Sequence, residues 1–148
     1  MEQNKPQLEA FGTIEPMEKR KYVKKDPTPL YHPEFVAKIK QGEQDIKDGK
    51  AQKITLDDIM DIVLTPAAAD DLAYWKQIDD QKALIWIRKL IEDIIRSPYI
   101  GKGNPKQLRE ELGCYWLRLI IRKHNFIYRI KEGTLYIYSL RGLHKPPV

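Results

Sequence analysis

The pattern of apolar and polar residues changes along the chain. Residues 1–33 carry charges and prolines without a helix or strand period, so we expect them to be extended or irregular. From Pro33 to Gly49 apolar residues fall on one narrow face, which predicts a helix that must pack on another apolar surface. The segment AQKITLDDI after this helix is predicted to be a short extended piece.

A stronger pattern begins at Met60. MDIVLTP predicts a buried strand, and Thr65 followed by Pro66 is typical of the N-cap and first residue of a helix, here one that ends at Gln77. A broad apolar face over 81–96 predicts a second helix in this region. Both helices need an apolar surface to cover.

Three strands are predicted after these helices, at about 114–122, 125–131 and 134–140, with a hairpin turn at Gly133. The order β-α-α-β-β-β predicts an α+β domain in which two helices pack on an antiparallel sheet, wrapped by the N-terminal helix and strand segment. On the first of these strands, period-two alternation places Arg118 on the face away from the helices, toward an open groove.

Composition narrows the class of protein. The chain has 148 residues and is 42% hydrophobic, enough for one domain or a small domain with an extension. It has no run of about eighteen apolar residues and no secretory signal, so we expect a cytoplasmic protein without a membrane span. Cys114 is the only cysteine, which excludes an intrachain disulfide and a cysteine-rich zinc site.

The net charge of +5 is distributed unevenly. Residues 1–60 hold eleven basic and eleven acidic side chains, and residues 61–95 hold four and seven. From Arg96 to the end there are eleven basic and three acidic side chains, a net charge of +8. A segment this basic favours an anionic partner such as RNA or DNA, although a solubilising surface is the alternative.

The basic segment also contains the groups that metal-free RNA cleavage requires. One group must take the proton of the 2′-hydroxyl, cations must stabilise the developing phosphorane, and another group must protonate the leaving oxygen. The three histidines lack the spacing of metal ligands, and we expect neither a metal nor a cofactor. The candidate side chains are Lys102, Lys106, Arg109, Arg118, Arg122, His124, Arg141, His144 and Lys145.

The motifs from Met60 to Lys145 follow an order typical of a known family. They are DDLAYW, a helix that ends in RSP, GKGNPKQL, YWLRLI, KHNFIYRI and a terminal R-x-x-H. In these motifs the chain resembles the Txe/YoeB branch of the RelE/ParE toxin superfamily. The resemblance implies a ribosome-dependent endoribonuclease that cuts mRNA in the decoding site and pairs with an antitoxin that wraps it.

The resemblance also implies roles for individual residues. The catalytic set would be His144 as acid or base, Arg118, and Lys106, which replaces the family's usual glutamate as base or cation. Leu119 and Asn125 stand where the family usually has arginines. The implied RNA-binding residues are Lys102, Arg109, Arg122, His124, Arg141 and Lys145.

The segment before Met60 resembles the C-terminal tail of a small antitoxin. The sequence therefore predicts three parts: an irregular segment 1–30, an antitoxin-like segment 31–59 and a toxin-like domain 60–148, as if two reading frames had been fused. We expect the fused segment to hold the toxin inactive. The expected partners are mRNA on the ribosome, this segment or a separate antitoxin, and a second copy in a homodimer.

Two other interpretations remain open at this point. The departures at Lys106, Leu119 and Asn125 fit a catalytically degenerate relative that acts as a binding or regulatory protein. A toxin of the ParE type that targets gyrase is the weaker alternative, because the GKGNP loop and the terminal R-x-x-H disfavour it.

Overall fold

The computed structural model describes residues 30–55 and 60–142, and all structural statements refer to these ranges. Within them the chain forms three α-helices, which are α1 (Pro33–Lys47), α2 (Pro66–Gln77) and α3 (Gln81–Arg96). It also forms six strands, which are β1 (Gln52–Ile54), β2 (Asp61–Leu64), β3 (Lys106–Gln107), β4 (Trp116–Leu119), β5 (Asn125–Lys131) and β6 (Thr134–Ser139).

The helix boundaries follow from capping side chains that the sequence contains. The Thr65 hydroxyl accepts a hydrogen bond from the Ala68 amide at 3.2 Å at the start of α2. A carboxylate oxygen of Asp80 accepts one from the Ala83 amide at 3.1 Å at the start of α3. These bonds satisfy amides that a helix leaves unpaired at its N-terminus. The predicted spans of α2 and α3 are confirmed.

All six described strands lie in one sheet, in the order β1-β2-β6-β5-β4-β3. Four of the five pairings are antiparallel, but β2 pairs with β6 in parallel, with Ile62 opposite Leu135. The α+β class is confirmed, and the sheet is mixed rather than fully antiparallel. A parallel pairing requires a long connection, and helices α2 and α3 lie in the chain between β2 and β6.

Strand β4 is shorter than the sequence predicts. Pairing ends at Leu119, and residues Ile121–Lys123 form a 3-10 turn. Arg122 and Lys123 in this turn have φ angles of 55° and 62°, in the left-handed region that no strand continues through. The sequence also did not predict β3 or the 3-10 turn at Glu110–Leu112.

The sheet is covered on both faces. Helices α2 and α3 cover one face with a core that includes Trp75, Leu90, Ile94, Tyr128 and Ile137. Helix α1 covers the opposite face, where Ile39 is fully buried and contacts run to the strands through Gly42 and Lys38. On this side of the sheet Tyr138 and Ser139 contact α1, and the strand register puts Leu117, Asn125 and Ile127 on the same face; all five are buried. The open groove expected on this face is therefore occupied by α1.

Candidate functional site

Helix α1 is attached to the sheet by a lysine. Lys38 Nζ donates hydrogen bonds to Asp71 Oδ2 at 2.7 Å, Ser139 Oγ at 3.0 Å and the Arg141 carbonyl oxygen at 3.0 Å. Asp71 Oδ2 also accepts the Leu140 amide at 2.9 Å. One ammonium group thus links α1 to α2 and to the end of β6, in partly buried surroundings where such bonds are strong.

One turn after Lys38, the backbone of α1 comes close to the sheet at Gly42. A Cβ atom on Gly42 would lie 2.7 Å from the ring of Tyr138 and 2.9 Å from Cγ2 of Thr65, so only glycine fits here. The next residue, Glu43, accepts hydrogen bonds from the Tyr138 hydroxyl and, at 2.9 Å, from Arg129 Nη1. Burial, followed by the Glu43 carboxylate, raises the pKa of Tyr138, which therefore stays protonated as a donor.

Replacing Lys38 with methionine is expected to destabilise the fold by about 1–3 kcal/mol, because the buried Asp71 carboxylate loses its cation. The same substitution at Lys40 is the matched control. Its ammonium group lies 4.0 Å from Glu111, and both side chains are about two-thirds exposed, so we expect almost no change. Urea unfolding of the two variants measures the difference, and equal losses would contradict the role of Lys38.

The orientation predicted for Arg118 is wrong. Its side chain points to the α2/α3 face of the sheet, where it is fully buried. Arg118 Nη1 donates to Asp93 Oδ2 at 2.7 Å, and Nε donates to the Tyr128 hydroxyl at 3.2 Å. Burial alone would raise the pKa of Asp93, but the Arg118 guanidinium and the Lys102 amide hold it below its usual value. Arg118 is therefore not available to a phosphate in this structure.

The remaining Arg118 donors hold the loop between α3 and β3. Nη2 donates to the carbonyl oxygens of Ser97 at 2.8 Å and Ile100 at 3.0 Å, and Nη1 donates to that of Lys102 at 2.9 Å. The Tyr128 hydroxyl donates to the Pro98 carbonyl oxygen at 2.6 Å. Residues 97–103, named the 97–103 loop from here on, are thus fixed by their carbonyl groups.

Three candidate RNA-binding or catalytic cations lie along the β3 edge of the sheet. Lys102 lies within the 97–103 loop, at its surface, and Lys106 lies on β3 directly opposite Leu117. Arg109 begins the 3-10 turn after β3, and its amide donates to the Tyr31 hydroxyl at 2.8 Å. All three side chains belong to exposed residues. Tyr31 precedes α1, so the start of the segment 31–59 also reaches this edge.

The other cations lie at the end of the sheet, above aromatic side chains of α2. Arg141 Cζ is 3.7 Å from the centroid of the Tyr74 ring, and Arg122 Cζ is 5.9 Å from that of Trp75. Arg122 Nη2 also donates to Asp80 Oδ2 at 2.5 Å, which lowers the pKa of that carboxyl group. These contacts leave both exposed arginine residues accessible to an anion.

The two groups of cations are connected by one row of backbone bonds. The Leu119 amide donates to the Gly103 carbonyl oxygen at 2.7 Å, Leu119 pairs with Asn125, and the Asn125 amide donates to the Gly142 carbonyl oxygen at 2.8 Å. This row crosses three strand spacings, about 14 Å. The candidates Lys102, Arg122, His124 and Arg141 therefore lie along the same end of the sheet. His144 and Lys145 lie outside the described residues.

His124 holds the chain at the point where β6 has ended. Its Nδ1 accepts a hydrogen bond from the Gly142 amide at 3.0 Å, so the neutral ring carries its proton on Nε2. Its ring packs perpendicular to Trp75, with 5.0 Å between centroids. Burial, followed by the nearby Arg122 and Arg141, lowers the pKa of His124.

This hydrogen bond predicts a pH dependence of stability. Because the folded state binds the His124 proton less readily than the unfolded state, its contribution to stability is complete above the unfolded pKa of about 6.5 and is lost as the pH falls from there toward the lower folded value. His124→Asn keeps an acceptor and removes the titration. We expect the parent to lose more unfolding free energy than this variant between pH 7 and pH 5, and equal losses would exclude the effect.

Several residues of the site were not predicted from the sequence. The sequence pattern could have indicated Asp93, because this charged residue interrupts the apolar run of α3 shortly before the RSP motif. No local sequence pattern indicates Lys38 and Asp71, because their pairing joins positions 33 residues apart. In the described part of the chain, no group of three His, Cys, Asp or Glu side chains could hold a metal ion, and no helix is long and apolar enough to cross a membrane.

Comparison with known proteins identifies the part of the chain that contains the exposed candidate cations described above. Residues 64–144 match the family model of the YoeB-like toxins of bacterial type II toxin–antitoxin systems. The chain belongs to this family. The toxin YoeB of Escherichia coli strain K12 is 32% identical over 82 residues, which are 55% of this chain and 96% of that protein. The toxin YoeB of Streptomyces coelicolor is 34% identical over the same shares.

Solved structures agree with this YoeB-like assignment. The YoeB/ParE toxin from Agrobacterium tumefaciens is 31% identical with a TM-score of 0.51, over 54% of this chain and 94% of that one. The toxin in a heterotetrameric YoeB–YefM toxin–antitoxin complex from Staphylococcus aureus is 28% identical with a TM-score of 0.52, over 56% and 95%. Residues 2–61 match a separate family model, described as a protein of unknown function (DUF2683).

Proposed function

We propose that the YoeB-like domain is a ribosome-dependent mRNA endoribonuclease and that the segment from residue 31 to residue 59 restrains it as an antitoxin would. The observation that carries the proposal is α1, which covers the sheet face opposite α2 and α3. Lys38, Gly42 and Glu43 attach it by direct contact with α2, β5 and β6. An RNA strand cannot reach that face while α1 is bound.

The catalytic roles follow from exposure and charge. Lys106 is an exposed residue that lies opposite Leu117 in the sheet, and the register from Leu117 through Ile127 to Ser139 puts it on the side of the sheet that carries α1. We assign it as base or phosphate-binding cation, with His144 as the acid. Lys102, Arg109, Arg122, His124, Arg141 and Lys145 would bind the phosphates of the RNA. Arg118 leaves the catalytic set because all of its described bonds are internal.

The proposed partners follow from the same assignment. The RNA would be mRNA on a translating ribosome in the cytoplasm. The neutralising partner is the chain's own N-terminal segment, to which a separate antitoxin is the alternative. A fused inhibitor acts at an effective concentration in about the millimolar range, so inhibition is the resting state. A homodimer is also proposed, since a YoeB from Staphylococcus aureus is described as a dimer.

The test is primer-extension mapping of mRNA in a translating extract, with the full chain beside residues 60–148. Cleavage by the short form alone, at sites that depend on translation, supports a restrained ribonuclease. Circular dichroism and a cooperative unfolding transition must first establish that the short form is folded. Cleavage by both forms would contradict the restraint.

The second candidate is a catalytically degenerate relative that acts as a binding protein. The observation that favours it is the burial of Asn125, one of the three departures from the family, together with the engagement of Arg118 in internal bonds. No cleavage by a folded short form, with retained affinity for an antitoxin or ribosome, would support this candidate over the ribonuclease.

A further inference from the structure

The 97–103 loop is held in place by a buried guanidinium group from a neighbouring strand. Each of the five N–H groups of Arg118 has an acceptor, and three of these acceptors are carbonyl oxygens of the loop. Arginine is fully satisfied in this arrangement, whereas a lysine at the same position could donate three bonds at most. The number and direction of these bonds determine the path of the loop.

The loop is also built to approach Arg118 and its partner Asp93 closely. Gly101 has a φ angle of 116°, and a Cβ atom there would lie 2.2 Å from Asp93 Oδ2. Gly103 has a φ angle of 81°, and a Cβ atom there would lie 3.1 Å from the Cβ of Arg118. The Lys102 amide between them donates to Asp93 Oδ2 at 3.0 Å. The two glycines thus turn the backbone of Lys102 inward, toward the buried ion pair.

We propose that Arg118 is a positioning residue of the proposed RNA-binding surface, which fixes the 97–103 loop so that Lys102 and Lys106 face the RNA along the β3 edge. Arg118 does not touch the RNA itself. It acts by holding the carbonyl groups of Ser97, Ile100 and Lys102 inward, which leaves the Lys102 side chain exposed. The consequence for RNA rests on the proposed function, whereas the consequence for the loop does not.

Amide hydrogen exchange of full-length Arg118→Lys tests the effect on the loop. The charge that Asp93 needs is retained, but at least two of the five bonds are lost, and with the Asp93 bond kept at least one of the three bonds to the loop is lost. We expect the amides of Lys102 and Leu119 to exchange about ten-fold faster or more, with the amides of β2 unchanged. The matched control is Arg129→Lys, which alters an arginine–carboxylate pair on the α1 face and should leave these two amides unchanged.

Unchanged exchange at both amides in Arg118→Lys would overturn the proposal. If Arg118→Lys does not fold, Tyr128→Phe replaces it, because it removes the hydroxyl group that joins Arg118 Nε to the Pro98 carbonyl oxygen. The same two amides are then measured, with the same criterion.

A double-mutant cycle tests the consequence for RNA. Fluorescence anisotropy gives the affinity of the full chain for a labelled single-stranded RNA of twelve nucleotides. If Arg118 acts through the loop cation, Lys102→Gln and Arg118→Lys each weaken binding and the double variant is no weaker than the worse single variant. Additive losses would overturn the positioning role. If the full-length parent does not bind RNA, as the cover of α1 over the sheet face allows, the same cycle is measured in the Gly42→Leu chain, in which α1 is expected to leave the sheet. Absence of binding there too counts against the proposed function, and the exchange result then decides alone whether Arg118 positions the loop.

Discussion

Replacing Gly42 with leucine is expected to release α1 from the sheet. A Cβ at this position would already lie 2.7 Å from the Tyr138 ring, and leucine adds three further carbon atoms. Tyr138 cannot move aside, because it is buried and packs edge-to-face on Tyr115. Overpacking of this kind costs about 1–3 kcal/mol or more. Helix α1 can avoid this cost by moving off the sheet.

The release is measured by amide exchange of α1 in the full chain. We expect its amides to lose most of their protection while the amides of α3 keep theirs. Ala37→Leu is the matched control, because it places the same side chain on an exposed position of the same helix and should change neither. Protection of α1 that is equal in the two variants would contradict the close packing at Gly42.

Replacing Arg118 with leucine is expected to destabilise the fold by about 3–5 kcal/mol. The substitution leaves the Asp93 carboxylate without its cation and three carbonyl oxygens of the 97–103 loop without donors. This would be a large part of the stability of an ordinary domain. Chemical unfolding measured by circular dichroism gives the difference in free energy.

Arg88 provides the matched control for this substitution. It pairs with Glu92 one turn away on α3 at 3.5 Å, and both side chains are at least half exposed. Arg88→Leu should therefore change the unfolding free energy by less than about 0.5 kcal/mol. Comparable losses at Arg88 and Arg118 would contradict the account of the buried guanidinium.

The sequence predicted the elements whose signals are local. Thr65, Pro66 and Asp80 define the starts of α2 and α3 through bonds to residues within one turn, and these starts are confirmed. Strand β5 and the turn at Gly133 follow in the same way from apolar alternation and turn chemistry. By contrast, β3 has two residues and depends on its pairing with β4, which no local pattern encodes.

The orientation of Arg118 could not be obtained from alternation alone. Strand β4 has apolar residues on both of its faces, and both faces are buried, one against α2 and α3 and the other, with Leu117, on the side of the sheet that carries α1. The prediction assigned Leu117 to the layer formed by the helices now named α2 and α3, and so placed Arg118 on an open face. In the structure Leu117 is buried on the side of the sheet that carries α1, and Arg118 points to Asp93 of α3. The sequence predicted the helix before Met60 but not the face of the sheet on which it lies.

The most direct test of the central claim is primer-extension mapping of mRNA cleavage in one translating extract that receives the parent chain, Gly42→Leu or Ala37→Leu. The account predicts translation-dependent cleavage with Gly42→Leu and none with the other two, because only Gly42→Leu uncovers the sheet face beneath α1. Absence of cleavage with Gly42→Leu, when amide exchange establishes that α1 is released and the rest of the fold is intact, would contradict a ribonuclease restrained by its own N-terminal helix.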